Sequence, residues 1–235
     1  MLKRVILAAA VLLVPLAAAA QTVDSLVDQQ MPSILESYKK LHAAPELSYF
    51  EEKSAAWIAG ELRPLGFEVT DHFGKYPDPK LQSFGLVAVM KNGKGPVVLV
   101  RTDLDALPVE EATGLSYASH VRTKNEQGQE VPVMHACGHD VHMSIFVATA
   151  RVLSQLRNQW HGTLIMIGQP AEERGAGAKA MLAGGLYEKF PQPDYAIGFH
   201  DNATLAAGKI GWVSGPALAS VDSVDVSIFG VGGHG

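Results

Sequence analysis

Between Leu26 and Leu41, the apolar residues Leu26, Met31, Ile34, Leu35, Tyr38 and Leu41 fall on one broad face of a helix. This spacing predicts an amphipathic helix over residues 24–43, ended by Pro45. A second helix is expected from Glu51 to Leu65, closed by Gly66. Phe67 to Thr70 alternates like a strand, and residues 72–83 are turn-rich with little pattern. Phe84 to Met90 and Pro96 to Arg101 read as two strands across the turn from Lys91 to Gly95.

Residues 121–131 are polar and read as a surface loop. From Asp140 a long helix is expected, because Val141, Ile145, Ala148, Val152 and Leu156 keep helical spacing, and Asp140 is a candidate N-cap. Thr163 to Gly168 and Tyr195 to Phe199 are short apolar runs of the buried-strand type, with a small-residue helix from Gly177 to Leu186 between them. Strands alternating with helices predict an α/β fold with a largely parallel sheet, whose active site gathers beyond the carboxyl ends of the strands. The pattern changes near Pro216. Residues 221–228 alternate with period two, as in a half-exposed antiparallel strand, and a glycine-rich stretch runs to Gly235. The expected organisation is a leader over 1–20, a catalytic domain over 21–215 and the start of a second domain over 216–235.

The leader rests on a basic start, Lys3-Arg4, an apolar stretch from Val5 to Ala20 and the small residues Ala18-Ala19-Ala20. The stretch is shorter than the roughly 20 apolar residues a membrane span needs, and Pro15 interrupts it, so a signal cleaved before Gln21 is expected, with export to the periplasm or medium. Without Lys3 and Arg4, 17 basic residues face 24 acidic ones, a formal charge of −7 against −5 for the whole chain. That balance argues against nucleic acid and anionic membrane surfaces as partners. Apolar residues at 47% and charged residues at 18% are ordinary for a globular protein. A single cysteine, Cys137, excludes an internal disulfide.

Candidate chemistry lies close to the ends of the apolar runs. Asp103 and Asp105 follow one, Glu172 and Glu173 another, and His200 closes a third; Cys137 and His139 immediately precede the long helix. A thiolate, imidazoles and adjacent carboxylates make a donor set for a hydrolytic metal site. One of Glu172 and Glu173 can bind metal while the other faces water as a general base. Taken alone, Cys137 and His139 are equally consistent with a buried inert thiol beside a capping histidine. Asp103 and Asp105 point to opposite faces if the strand continues through them, and one of them can support a ligand histidine. His142 can cap the helix or contact the site and is read as structural, and His135 is left open. His42, His72, His120 and His161 have no supporting context.

Five segments occur in order: residues 41–48 (LHAAPELS), 101–108 (RTDLDALP), 134–140 (MHACGHD), 169–173 (QPAEE) and 230–235 (GVGGHG). Together they resemble the amidohydrolases of the aminoacylase and carboxypeptidase G superfamily, in the branch with hippurate hydrolase, N-acyl-amino-acid amidohydrolases and indole-acetyl-amino-acid hydrolases. The resemblance implies an α/β catalytic domain holding two divalent metal ions (Mn, Zn, Co or Ni), with an inserted α+β lid and dimerisation domain. It implies Cys137, His139, Glu173 and His200 as metal ligands. Glu172 would be the general base that activates water, Asp105 the supporting aspartate, and His234 the lid histidine offered to the substrate carbonyl in a homodimer. The expected reaction is hydrolysis of the amide bond of N-acyl amino acids or short peptides. In that pattern the chain continues past the lid and returns with a last ligand histidine, so residues 1–235 are expected to be an amino-terminal part. The rival expectation is a non-catalytic remnant that binds metal or self-associates.

Overall fold

The computed structural model describes residues 22–220 together with 224, 226, 227, 229 and 230. The expected leader and His234 lie outside these residues, as does most of the strand expected over 221–228. The chain divides into two compact units, one ending at Asp201 and the other beginning at Asn202. In the second unit the described residues form turns and no helix or strand. No helix among the described residues is long and apolar enough to cross a membrane.

The first unit contains every described regular element. α1 (Val23–Ala43) starts in a capping box, in which Thr22 Oγ1 accepts the Ser25 amide and Ser25 Oγ accepts the Thr22 amide. α2 (Glu52–Leu62) runs into a 3₁₀ turn that Gly66 ends in the left-handed region, φ 89°. β1 (Glu68–Thr70), β2 (Leu86–Asn92) and β3 (Val97–Asp103) follow. A small hairpin of β4 (Arg122–Lys124) and β5 (Glu130–Pro132) precedes α3 (His139–Gln155). β6 (Gly162–Gln169), α4 (Gly177–Ala183), α5 (Leu186–Lys189) and β7 (Tyr195–Ile197) complete it.

The main sheet has the order β1-β2-β6-β3-β7. β6, β3 and β7 are parallel, while β2 runs antiparallel to both of its neighbours, β1 and β6. The α/β class is as expected, and the sheet is mixed. Alternation along its strands divides two cores. Leu86, Ala88, Met90, Leu164 and Met166 face α2 and α3, packing with Ile58, Leu62, Met143, Phe146 and Val147. Val87, Val89, Ile165 and Ile167 face the other way, toward Met181 of α4 and Leu186 of α5. The result is a helix–sheet–helix sandwich with β6 buried at its centre.

Three local expectations are corrected. β2 and β3 are not partners across their turn, because β6 inserts between them and pairs with both. Residues 121–131 are not an unstructured loop: Asn125 Oδ1 accepts the amides of Gln127 and Gln129 and closes a hairpin. The run from Tyr195 is an exposed edge strand rather than a buried one, with Tyr195 64% and Ile197 53% exposed. Apolar composition cannot distinguish an edge from a centre, since that depends on which strand pairs next.

Candidate metal centre

The parallel half of the sheet brings chemistry to one edge. Asp103 pairs in register with Gln169, so β3 and β6 end together, and the residues after Ile197 leave β7 on the same side. α3 begins there as well. Its N-cap, Gly138, adopts φ 79°, and a Cβ at this position would lie 2.5 Å from Asp201 Oδ1. Only glycine allows Cys137 and His139 to flank this turn with Asp201 against it.

His139 is fully buried. Its Nδ1 lies 2.7 Å from the carbonyl oxygen of Asp105 and donates to it, which turns Nε2 toward the cleft. Nε2 is 3.6 Å from Asp103 Oδ2, 3.7 Å from Glu173 Oε1 and 3.8 Å from Glu172 Oε2. These separations exceed hydrogen-bond length. His139 Nε2 and Glu173 Oε1 are buried with no hydrogen-bond partner. Cys137 Sγ lies 3.2 Å from His200 Nε2, whose ring is edge-on to His139. Glu173 is 19% exposed and Glu172 37%, so the first is sunk into the cluster and the second stands at its mouth. Asp105 supports both sides: its Oδ2 accepts from Ser48 Oγ at 2.6 Å and from the Glu173 amide at 3.1 Å.

The electrostatics are those of a cation site. Burial opposes charge on His139, but the bond to Asp105 and the Asp103 charge outweigh it and push the imidazole up to about 9. Burial and the Glu173 and Glu172 carboxylates push the Cys137 thiol up to about 12. A proton on His139 is one way to neutralise this concentration of negative charge. A divalent ion is another, and it would bind the Cys137 sulfur as thiolate. Among the described residues, four overlapping groups have donor atoms within 4.8 Å of one another: Cys137–His139–His200, His139–Glu172–Glu173, Asp103–His139–His142 and His142–His200–Asp201. Sulfur, imidazole and carboxylate donors together suit a borderline divalent metal, and the two unpartnered buried atoms are where its bonds would go.

All the expected residues within the described chain therefore meet: Cys137, His139, Glu172, Glu173, His200 and Asp105. His142, read from the sequence as structural, also joins the cluster. Its Nδ1 is 2.7 Å from Asp103 Oδ1, its Nε2 is 3.0 Å from Asp201 Oδ1, and its ring centroid is 4.6 Å from that of His200. Burial would raise the Asp103 pKa, but the bond from His142 and the charges of His139 and Arg101 hold it at about 2. The signal available was the three-residue spacing of His139 and His142 on one helix face. Asp103 and Asp105 do not point to opposite faces; β3 ends at Asp103, and both carboxylates approach His139. Asp140 is not the N-cap. It lies in the first turn of α3, with Oδ2 2.7 Å from Nδ1 of buried His42, whose Nε2 is 3.1 Å from Glu111 Oε1. His135 is buried with neither ring nitrogen partnered, and burial pushes it down to about 3.

Residues 99–231 match peptidase family M20/M25/M40. The chain belongs to this family. It is 37% identical over 202 residues to N-acetylcysteine deacetylase of Bacillus subtilis, a match covering 86% of this chain and 48% of that protein. With hippurate hydrolase of Campylobacter jejuni it shares 38% over 197 residues, covering 83% and 46%. Among solved structures it is similar to the Bacillus subtilis YXEP protein, described as a dinuclear metal binding peptidase from the M20 family. That similarity has a TM-score of 0.57 at 34% identity and covers 68% of this chain and 41% of that one. The chain thus spans about half the length of the curated relatives it matches.

Proposed function

We propose that this chain carries the metal-binding and proton-transfer residues of an amidohydrolase acting on N-acyl amino acids or short peptides. Two divalent ions would be held among Cys137, His139, Glu173 and His200. The observation that carries the reading is the pair of buried, unpartnered donors, His139 Nε2 and Glu173 Oε1, 3.7 Å apart beside the Cys137–His200 contact. Bound there, such ions would polarise an amide carbonyl and make water more acidic.

The chain's own residues supply the rest. Glu172, at the mouth, takes a proton from water and delivers it to the leaving amine. Asp105 fixes the His139 ring through its carbonyl and fixes the Glu173 backbone through its carboxylate. A recess lined by Glu173, Leu47, Leu107, Pro108, Glu126 and Arg174 offers apolar surface for an acyl group. Relatives named for N-acetylcysteine and hippurate support this substrate class. On the family resemblance, His234 would reach the substrate carbonyl within a homodimer; on the basic and apolar pattern of the first twenty residues, 1–20 would be removed on export.

The test is metal content, measured by elemental analysis after chelation and reloading with Mn²⁺ or Zn²⁺. Cys137→Ala and His139→Ala should each lose metal, and wild-type content in both would overturn the assignment. Glu172→Gln should keep metal and lower any turnover of an N-acyl amino acid panel by about 10²–10⁴-fold. The rival reading, a metal-binding remnant without turnover, draws on the half-length coverage of the relatives. Metal uptake with no hydrolysis across that panel would favour it.

A further inference from the structure

Among the described residues, three that are not glycine have positive φ: Tyr49 at 71°, His72 at 53° and Ala171 at 44°. Ala171 immediately precedes Glu172. A side chain in this region of backbone space is disfavoured, so the surrounding structure must hold it there. One carboxylate holds two of the three. Glu51 Oε1 accepts the Ala171 amide at 2.7 Å and the Tyr49 amide at 2.9 Å. Glu51 is fully buried and its other oxygen has no partner.

The neighbouring residues extend this clip. Ser48 donates to Asp105, and Asp105 accepts the Glu173 amide. Glu46 accepts the amides of Lys53 and Ser54 and so anchors the start of α2, from which Glu51 projects. Past Glu172, the turn closes on itself: Gly175 donates to the Glu172 carbonyl, and Ala176 and Gly177 donate to the Ala171 carbonyl. The turn is thus bonded within itself, and Glu51 is the side chain that ties the amide of Ala171 to the rest of the fold.

We infer that Glu51 is a positioning residue for the acidic pair. By accepting the Ala171 amide it holds the left-handed turn that points Glu172 to the mouth of the cluster and Glu173 into it. This rests on the metal-site reading above for its functional consequence, but the clip itself can be tested without metal.

The experiment compares wild type with Glu51→Ala, Glu51→Leu and Glu51→Gln. Hydrogen exchange by mass spectrometry follows the peptide over residues 169–177, whose protected amides include Gly175, Ala176 and Gly177. Calorimetry with Mn²⁺ alone measures affinity, and thermal melting checks folding. Losing the acceptor of the Ala171 and Tyr49 amides should speed exchange of this peptide and weaken Mn²⁺ binding by about tenfold in the alanine and leucine variants. Glutamine keeps an oxygen acceptor and should stay within about threefold of wild type on both measures. Leucine fills the space without accepting, so a leucine variant that matches wild type would reduce Glu51 to packing and overturn the inference. So would a glutamine variant as perturbed as the alanine one, or an alanine variant with unchanged exchange. If wild type takes up no Mn²⁺, the metal reading fails, and the exchange comparison still decides whether Glu51 holds the turn.

Discussion

The carboxyl group of Glu51 should make the protein less stable as pH rises. Burial, reinforced by the nearby Asp105 charge, raises it from the usual 4.5 to about 7, against the lowering effect of its bonds from Ala171 and Tyr49. The folded state therefore holds this proton more tightly than the unfolded state. Its contribution is fully present below pH 4.5 and is lost as pH rises through 7. At about 1.4 kcal/mol per pH unit across that window, the penalty approaches ~3 kcal/mol at high pH. About 1 kcal/mol is already lost at pH 5, so roughly 2 kcal/mol should be lost between pH 5 and pH 8. Glu51→Gln keeps the acceptor and cannot titrate. Urea unfolding of the two proteins at both pH values gives the difference directly. The absolute offset includes burying an amide where Oε2 has no partner, but the change of the gap with pH does not. That gap should move by about 2 kcal/mol or more in favour of the variant between pH 5 and pH 8. Parallel pH profiles would refute the reasoning, because they would mean the folded carboxyl titrates as it does in the unfolded chain.

Gly138→Ala puts a Cβ 2.5 Å from the Asp201 carboxylate at φ 79°, and should weaken Mn²⁺ or Zn²⁺ binding by about tenfold or more, since the left-handed strain alone costs roughly 1–2 kcal/mol. Unchanged affinity by calorimetry would show that the turn between Cys137 and His139 does not need glycine. His142→Ala leaves the buried Asp103 carboxylate with Arg101 as its remaining side-chain hydrogen-bond donor and with the His139 charge 3.6 Å away, and should cost about 2–4 kcal/mol in urea unfolding of metal-free protein. A cost within 0.5 kcal/mol, the range of an ordinary surface substitution, would make the His142–Asp103 contact incidental.

Much of this protein is determined by local pattern. The face from Leu26 to Leu41 produced α1, the spacing from Val141 to Leu156 produced α3, and the apolar run before Gln169 produced β6, because each pattern follows from the geometry of one element. The gathering of the candidate residues at one edge was legible for a related reason. Asp105, Glu172, Glu173 and His200 follow strand ends, and in the parallel part of the sheet such ends share an edge. What only the tertiary structure decided was partnership. β6 entered between β2 and β3, though the turn joining those two suggested a hairpin, because central pairing buries an apolar strand on both faces. His42 was indistinguishable in sequence from a surface histidine until Asp140, 98 positions away, came within bonding distance. Glu51 began a helix pattern, and nothing near it in sequence showed that its carboxylate would be buried under Ala171. Periodicity records which way a side chain points from its own element. The partner of a buried charge is supplied by a different element, and that choice is made when the elements pack.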